Sequence, residues 1–102
     1  MKGRRIDWKK SGIYSIICTI NGKQYIGQSV NIYRRINLHK CRLNQQNKKN
    51  ENQYILEDWN KYGSDNFEWS ILAETDNESK LNALEKFYIM MYRKMGAIYN
   101  LT

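Results

Sequence analysis

Ser11–Ile20, reading S-G-I-Y-S-I-I-C-T-I, is followed at once by Asn21-Gly22 and then by Lys23–Gly27, reading K-Q-Y-I-G. The first run is β-branched, aromatic and free of proline, the composition of a buried strand. Asn21 and Gly22 both tolerate positive φ, as a two-residue type I′ turn requires. A β-hairpin is therefore expected, with Lys23–Gly27 as its return strand.

The rest of the chain is read outward from this hairpin. Ser29 and Asn31 are good helix caps, and a helix is expected from about Ile32 to Gln46, with Ile32, Ile36 and Leu43 facing inward and Tyr33 beside them. Gln45–Asn52 is rich in Asn, Gln and Lys and reads as an exposed loop. A second helix over Gln53–Tyr62 offers Tyr54, Ile55, Trp59 and Tyr62 to the core, and Gly63 stops it. Phe67–Glu74 alternates as a third strand. Asp76 and Asn77 cap a last helix over Glu78–Met95, which ends at Gly96 and leaves Ala97–Thr102 as a short extended tail. The order β-β-α-α-β-α predicts an α+β fold: a small, mainly antiparallel three-stranded sheet flanked by helices. One domain, residues 12–102, is expected after a basic arm, residues 1–11, whose Trp8 anchors its end.

Composition limits the partners. The 102 residues carry 17 Lys plus Arg against 10 Asp plus Glu, a net charge of +7. A small protein this basic attracts polyanions, with nucleic acid the first candidate, an anionic membrane surface the second, and simple solubility the plain alternative. Cys18 and Cys41 have neither metal-ligand spacing nor a disulfide framework and read as free thiols of a reducing cytoplasm, Cys18 within a core strand. No apolar run is long enough to span a bilayer, and the basic start lacks the hydrophobic segment of a secretory signal. A membrane role is not expected, and no protein partner can be inferred.

Two features could carry chemistry. Arg35, His39 and Arg42 fall at i, i+4 and i+7 and share one face of the first helix, while Arg34 and Lys40 lie on others. Such a face beside a tyrosine-bearing sheet can hold a phosphodiester and stabilise its developing charge; it can equally be a solvated basic surface. Glu85 is the second feature. It lies within or beside an apolar stripe of Leu81, Leu84, Tyr88, Met91 and Met95, where a carboxylate is costly unless a cation or hydrogen bonds meet it. The alternative is an edge position paired with an arginine.

Gly12-Ile13-Tyr14 and Tyr25-Ile26-Gly27, with tyrosines eleven positions apart and Asn-Gly between them, together with an arginine on the next helix and a glutamate on a later one, resemble the GIY-YIG nuclease family. The resemblance covers Gly12–Thr102. Asn60-Lys61-Tyr62-Gly63 followed by Asn66-Phe67 is most similar to the phage and intron homing endonuclease branch. Gln28 stands where the repair branch often has a lysine. Homing enzymes usually continue into a linker and a DNA-recognition region, so a catalytic fragment or a free-standing nuclease of low specificity is expected.

The resemblance implies hydrolysis of DNA phosphodiesters with one divalent ion, Mg²⁺ or Mn²⁺. Glu85 would be the metal ligand, and Tyr14, Tyr25, Arg35, His39 and Glu85 the catalytic group. Arg42, Lys40 and Asn100 would contact substrate. Arg35 would bind a non-bridging oxygen. Tyr25 or Tyr14 would take the proton of the attacking water, Tyr25 being the first choice, helped by cations that lower the phenol pKa; His39 would assist or orient a tyrosine. A non-catalytic nucleic-acid-binding module, or a repair or restriction nuclease of the same family, is the alternative.

Overall fold

The computed structural model describes residues 10–49 and 51–100. The expectations for residues 1–9, Trp8 included, and for the last two residues lie outside them. Six main elements follow in order: β1 (Gly12–Cys18), β2 (Gln24–Ser29), α1 (Ile32–Asn44), α2 (Gln53–Tyr62), β3 (Phe67–Glu74) and α3 (Leu81–Lys94), with single 3₁₀ turns at Ser64–Asn66 and Glu78–Lys80. The α+β order read from the sequence holds.

The sheet is antiparallel with β1 in the centre, in the order β2-β1-β3. A central strand covered on both faces needs apolar residues on both, which explains the near-continuous run in β1. Tyr14, Ile16 and Cys18 point into one core with Ile32, Ile36 and Leu43 of α1 and Ile55, Leu56 and Trp59 of α2. Ile13 points the other way, with Ile26 and Leu81, into a smaller core closed by Leu84, Tyr88, Ile89 and Tyr92 of α3. Ser15, fully buried, satisfies its hydroxyl by a 2.8 Å bond to Ser70 of β3.

The hairpin forms, but not through a two-residue turn. Its loop is Thr19–Gly22, closed by Cys18 N–H to Lys23 O at 2.9 Å and Gly22 N–H to Cys18 O at 2.8 Å. Gly22 alone takes positive φ, +76°. Asn21 acts through its side chain instead: its oxygen accepts from Lys23 N–H and its amide donates to Asp58 of α2. The stripe on the last helix is also rotated from expectation. Met95 (69% exposed) and Met91 (37%) face outward with Phe87 and Met90, while Ile89 and Tyr92 pack inward. An apolar set this broad leaves the helix's rotation undetermined until the sheet is in place. The helix itself starts at Leu81, because Asn77 caps the preceding 3₁₀ turn by accepting from Ser79 N–H.

The segment after α3 docks beside β2. Gln24 N–H bonds Ala97 O at 3.0 Å, Tyr99 N–H bonds Gln24 O at 2.7 Å, and Gln24 and Ile98 form a parallel bridge. Tyr99 is buried and its hydroxyl donates to Asp58 at 2.6 Å. Asp58 thus ties the hairpin loop, α2 and the chain end together. Both cysteines are free thiols, Cys18 buried in β1 and Cys41 exposed. Among the described residues, no helix is long and apolar enough to cross a membrane.

Candidate active site

Tyr14 and Tyr25 reach the same face of the sheet because their register positions match: Tyr14 pairs with Gly27 and Tyr25 with Ile16. Glycine at position 27 is what allows this. A Cβ there would lie 2.4 Å from Cζ and the hydroxyl oxygen of Tyr14, so the phenol ring fills the space a side chain would take. Gly12 is required for a parallel reason. A Cβ on it would meet the carbonyl oxygen of Ala73 at 2.1 Å, beside the register shift in the β1–β3 ladder.

The face of α1 anticipated from the sequence lies over these tyrosines. Asn31 caps α1 by accepting from Arg34 N–H at 3.0 Å, and the helix then delivers Arg35, His39 and Arg42 in successive turns. His39 is buried, and its Nε2 lies 2.7 Å from the Tyr14 hydroxyl. The Tyr25 ring meets the imidazole edge-on, with centroids 5.4 Å apart. Tyr14, not Tyr25, holds the hydrogen bond to the histidine.

His39 has a second partner that the sequence did not reveal. Its Nδ1 lies 2.8 Å from Oε2 of Glu51, a buried carboxylate whose other oxygen accepts from Asn52 N–H at 3.0 Å. Glu51 belongs to the connection expected to be an exposed loop. The signal available was faint: one acid in a stretch of amides and lysines, immediately before the α2 cap Asn52.

The phenols are held neutral. Burial pushes Tyr14 well above the ordinary 10.0, Tyr25 adds to the rise, and the Arg35 guanidinium, within hydrogen-bonding reach, partly offsets it. Tyr25 is also raised, first by burial and then by the carboxylates Glu51 and Glu85, against Arg35 and Arg42. Arg35 and Arg42 do lower these phenols as expected, but burial outweighs them and the net shift is upward.

Glu85 comes from α3, on the other side of β2. It is half-buried, and Oε1 accepts from Gln28 Nε2 at 3.1 Å; the same amide nitrogen donates to Asn82 at 2.6 Å. Gln28 thus steers the carboxylate. The bond to Gln28 sets the Glu85 carboxylate against the end of β2. A cleft of about 260 Å³ lined by Ser29, Val30, Asn31, Arg34, Arg35 and Leu38 opens beside it.

Lys40 and Asn100, also expected to contact substrate, have contacts of their own. Lys40 sits 5.2 Å from the centre of the Trp69 ring, on the β3 flank of α1, in a separate cleft with Tyr33, Ile36 and Asn37. Asn100 engages the edge of β2: its Oδ1 accepts from Ile26 N–H and its Nδ2 donates to Ile26 O, both at 2.9 Å. It fixes the strand between Tyr25 and Gly27.

Among the described residues no three His, Cys, Asp or Glu side chains gather in a way that could cage a metal ion. Glu85 is a lone hard-oxygen donor. That donor set fits Mg²⁺ or Mn²⁺, which keep most of their waters and take further oxygens from a phosphate.

Comparison with known proteins bears on the family and the fold. The model of the GIY-YIG catalytic domain matches residues 10–100. The chain is similar to "Probable intron-encoded endonuclease 1" of Neurospora crassa, with 40% identity over 107 aligned positions covering 98% of the chain and 33% of that protein. It therefore spans about a third of that relative's length. It is also similar to the solved catalytic domain of the homing endonuclease I-TevI, with a TM-score of 0.80 and 29% identity over 91% of this chain and 99% of that one. A mutant of the I-TevI catalytic domain superposes with a TM-score of 0.77 at 29% identity, covering 91% of this chain and 94% of that one.

Proposed function

The chain belongs to the GIY-YIG nuclease family, and on that premise we propose that it is a homing-endonuclease-like domain that hydrolyses DNA phosphodiesters with one divalent ion. The observation that carries this reading is the buried Tyr14–His39 contact with the Tyr25 ring edge-on to the same imidazole, Arg35 one turn away on α1 and Glu85 of α3 held against Gln28 of β2. The net charge of +7 suits a polyanionic substrate.

Each residue then has a part. Arg35 presents a planar fork to the non-bridging oxygens of the scissile phosphate, where charge grows in the transition state. Tyr14 takes the proton of the attacking water and passes its own to His39 across the 2.7 Å contact. A neutral, buried phenol needs such a partner, because it does not ionise unaided at neutral pH. Tyr25, beside His39 and under the influence of both Glu85 and Arg35, helps position the water. Glu85 holds the ion, with Gln28 fixing its carboxylate. When bound, Mg²⁺ or Mn²⁺ supplies Lewis-acid stabilisation of the phosphate and the departing oxygen. Arg42 belongs to the same face, and Arg34 lines the cleft along which a DNA backbone would run.

The test is nicking of supercoiled plasmid with and without Mg²⁺ by the wild-type chain and Glu85→Gln. Mg²⁺-dependent cutting that disappears in the variant, with DNA binding retained, is the expected result. Binding without cutting by the wild type would make the domain a nucleic-acid-binding module.

A further inference from the structure

The buried chain Glu51–His39–Tyr14 has a direction. An ionised carboxylate only accepts hydrogen bonds. Glu51 uses Oε1 to accept from Asn52 N–H, and its Oε2 faces His39 Nδ1 at 2.8 Å. Nδ1 must then carry the ring proton. The other ring nitrogen is left with a lone pair, aimed at the Tyr14 hydroxyl 2.7 Å away. Glu51 and His39 are both nearly inaccessible, with 8% and 4% of their surface exposed, so water does not compete for either contact. A carboxylate and an imidazole are costly to bury in a small domain where an apolar pair would pack as well. The N-terminal end of α2, which begins two residues after Glu51, helps hold the negative charge there.

We infer that Glu51 is a positioning residue: it fixes His39 in the Nδ1–H tautomer, so that Nε2 is free to receive the Tyr14 proton as water attacks the phosphate. The inference rests on the nuclease reading above. In the step, the Tyr14 O–H bond breaks as an N–H bond forms at Nε2, and the phenolate oxygen takes a proton from water. The remaining hydroxide adds to phosphorus, and the P–O bond to the leaving oxygen breaks, its electron pair staying on that oxygen. The imidazolium that forms faces the Glu51 carboxylate. Tyr14 is already restored by the proton from water, so the imidazolium releases its proton to solvent after turnover and the departing oxygen takes up a proton from solvent. The titratable groups that meet His39 are Glu51 on the connection, Tyr14 on β1 and Tyr25 on β2, while Arg35 and Arg42, a turn away on α1, act on the tyrosines.

His39 is the chain's single histidine, so ¹⁵N labelling of histidine yields one imidazole, and a long-range ¹H–¹⁵N correlation reads which nitrogen is protonated. The wild type is expected to give the Nδ1–H tautomer. Glu51→Gln introduces an amide that can donate to Nδ1 and move the proton to Nε2. The tautomer signal should shift, and single-turnover cleavage should fall on the order of 10²–10⁴-fold, with DNA affinity unchanged. Glu51→Asp, which keeps the acceptor, should recover part of both signals. A wild-type spectrum with Nε2 protonated overturns the inference whether or not any variant folds. So does a Glu51→Gln protein that shifts tautomer yet cuts at the wild-type rate. A wild type that never cuts DNA overturns the nuclease reading instead, and the tautomer measurements then decide the Glu51 assignment alone.

Discussion

Replacing Gly27 by Ala puts one methyl group where the Tyr14 ring now lies. The added Cβ would sit 2.4 Å from Cζ and from the hydroxyl oxygen, and 2.8 Å from Cε2. Carbon atoms in contact prefer about 3.5–4.0 Å, so the ring must retreat by roughly 1 Å. Tyr14 is 1% exposed and its strand is hydrogen-bonded on both sides, so neither moves freely. A shift of about 1 Å stretches the 2.7 Å Tyr14–His39 contact beyond hydrogen-bonding length. Overpacking of this kind costs about 1–3 kcal/mol, and each kcal/mol lowers Tm by roughly 4–8 °C in a domain of this size. Gly27→Ala should therefore melt lower and cut DNA far more slowly. The sign is decisive, because alanine in a strand without a clash should stabilise by about 0.4–1 kcal/mol through the unfolded chain. Urea unfolding of Gly27→Ala, Tyr14→Val and the double variant separates the two effects, since the methyl meets no ring once Tyr14 is removed. A Gly27→Ala protein as stable and as active as the wild type would refute the explanation for the glycine.

Asn100→Asp keeps the acceptor for Ile26 N–H but puts a carboxylate oxygen against Ile26 O; it should destabilise the chain by about 1–3 kcal/mol in urea unfolding, and wild-type stability would count against the pin described for β2. Alkaline pH should unfold the protein. Tyr14, Tyr25 and Tyr99 all titrate above the ordinary 10.0, raised first by burial, so above that pH the unfolded chain has lost phenol protons that the fold retains. Their contribution is complete below about pH 10 and falls as pH rises, by up to about 1.4 kcal/mol per pH unit for each such phenol. Urea midpoints between pH 9 and 11 should show this decline, shallower in Tyr99→Phe; an unchanged slope in that variant would remove Tyr99 from the effect.

Much of this was legible in the sequence because local signals and tertiary demands coincide. The apolar run of β1 is central in the sheet, and α2 runs from Gln53 to Tyr62 and stops before Gly63 as its pattern predicts. Arg35 and His39 reach the tyrosines because helical spacing fixes their common face. What sequence could not supply was set by distant partners. Asn21 avoids positive φ because Asp58, 37 residues on, and Lys23 N–H engage its side chain. The outward rotation of Met91 and Met95 depends on which side chains of α3 meet Ile13 and Ile26. Glu51 meets His39 twelve residues away across a loop without periodicity. The rise of the phenol pKa values follows from burial, which a list of neighbouring charges does not reveal.

The central claim, that this edge of the sheet cuts DNA and does not merely bind it, is tested most directly by comparing Arg34 with Arg35. The two are adjacent, exposed and equally charged, but only Arg35 acts on the tyrosines. The measurement is single-turnover cleavage at saturating enzyme for Arg34→Ala, Arg35→Ala and Arg35→Lys, beside binding constants in Ca²⁺. Arg35→Ala should lose ~10²–10³-fold in rate with little change in affinity, and Arg35→Lys should be nearly as impaired, because an ammonium cannot present a planar fork. Arg34→Ala should lose at most a phosphate contact. Equal cleavage rates for Arg34→Ala and Arg35→Ala would contradict the account and leave the basic face of α1 as a docking surface only.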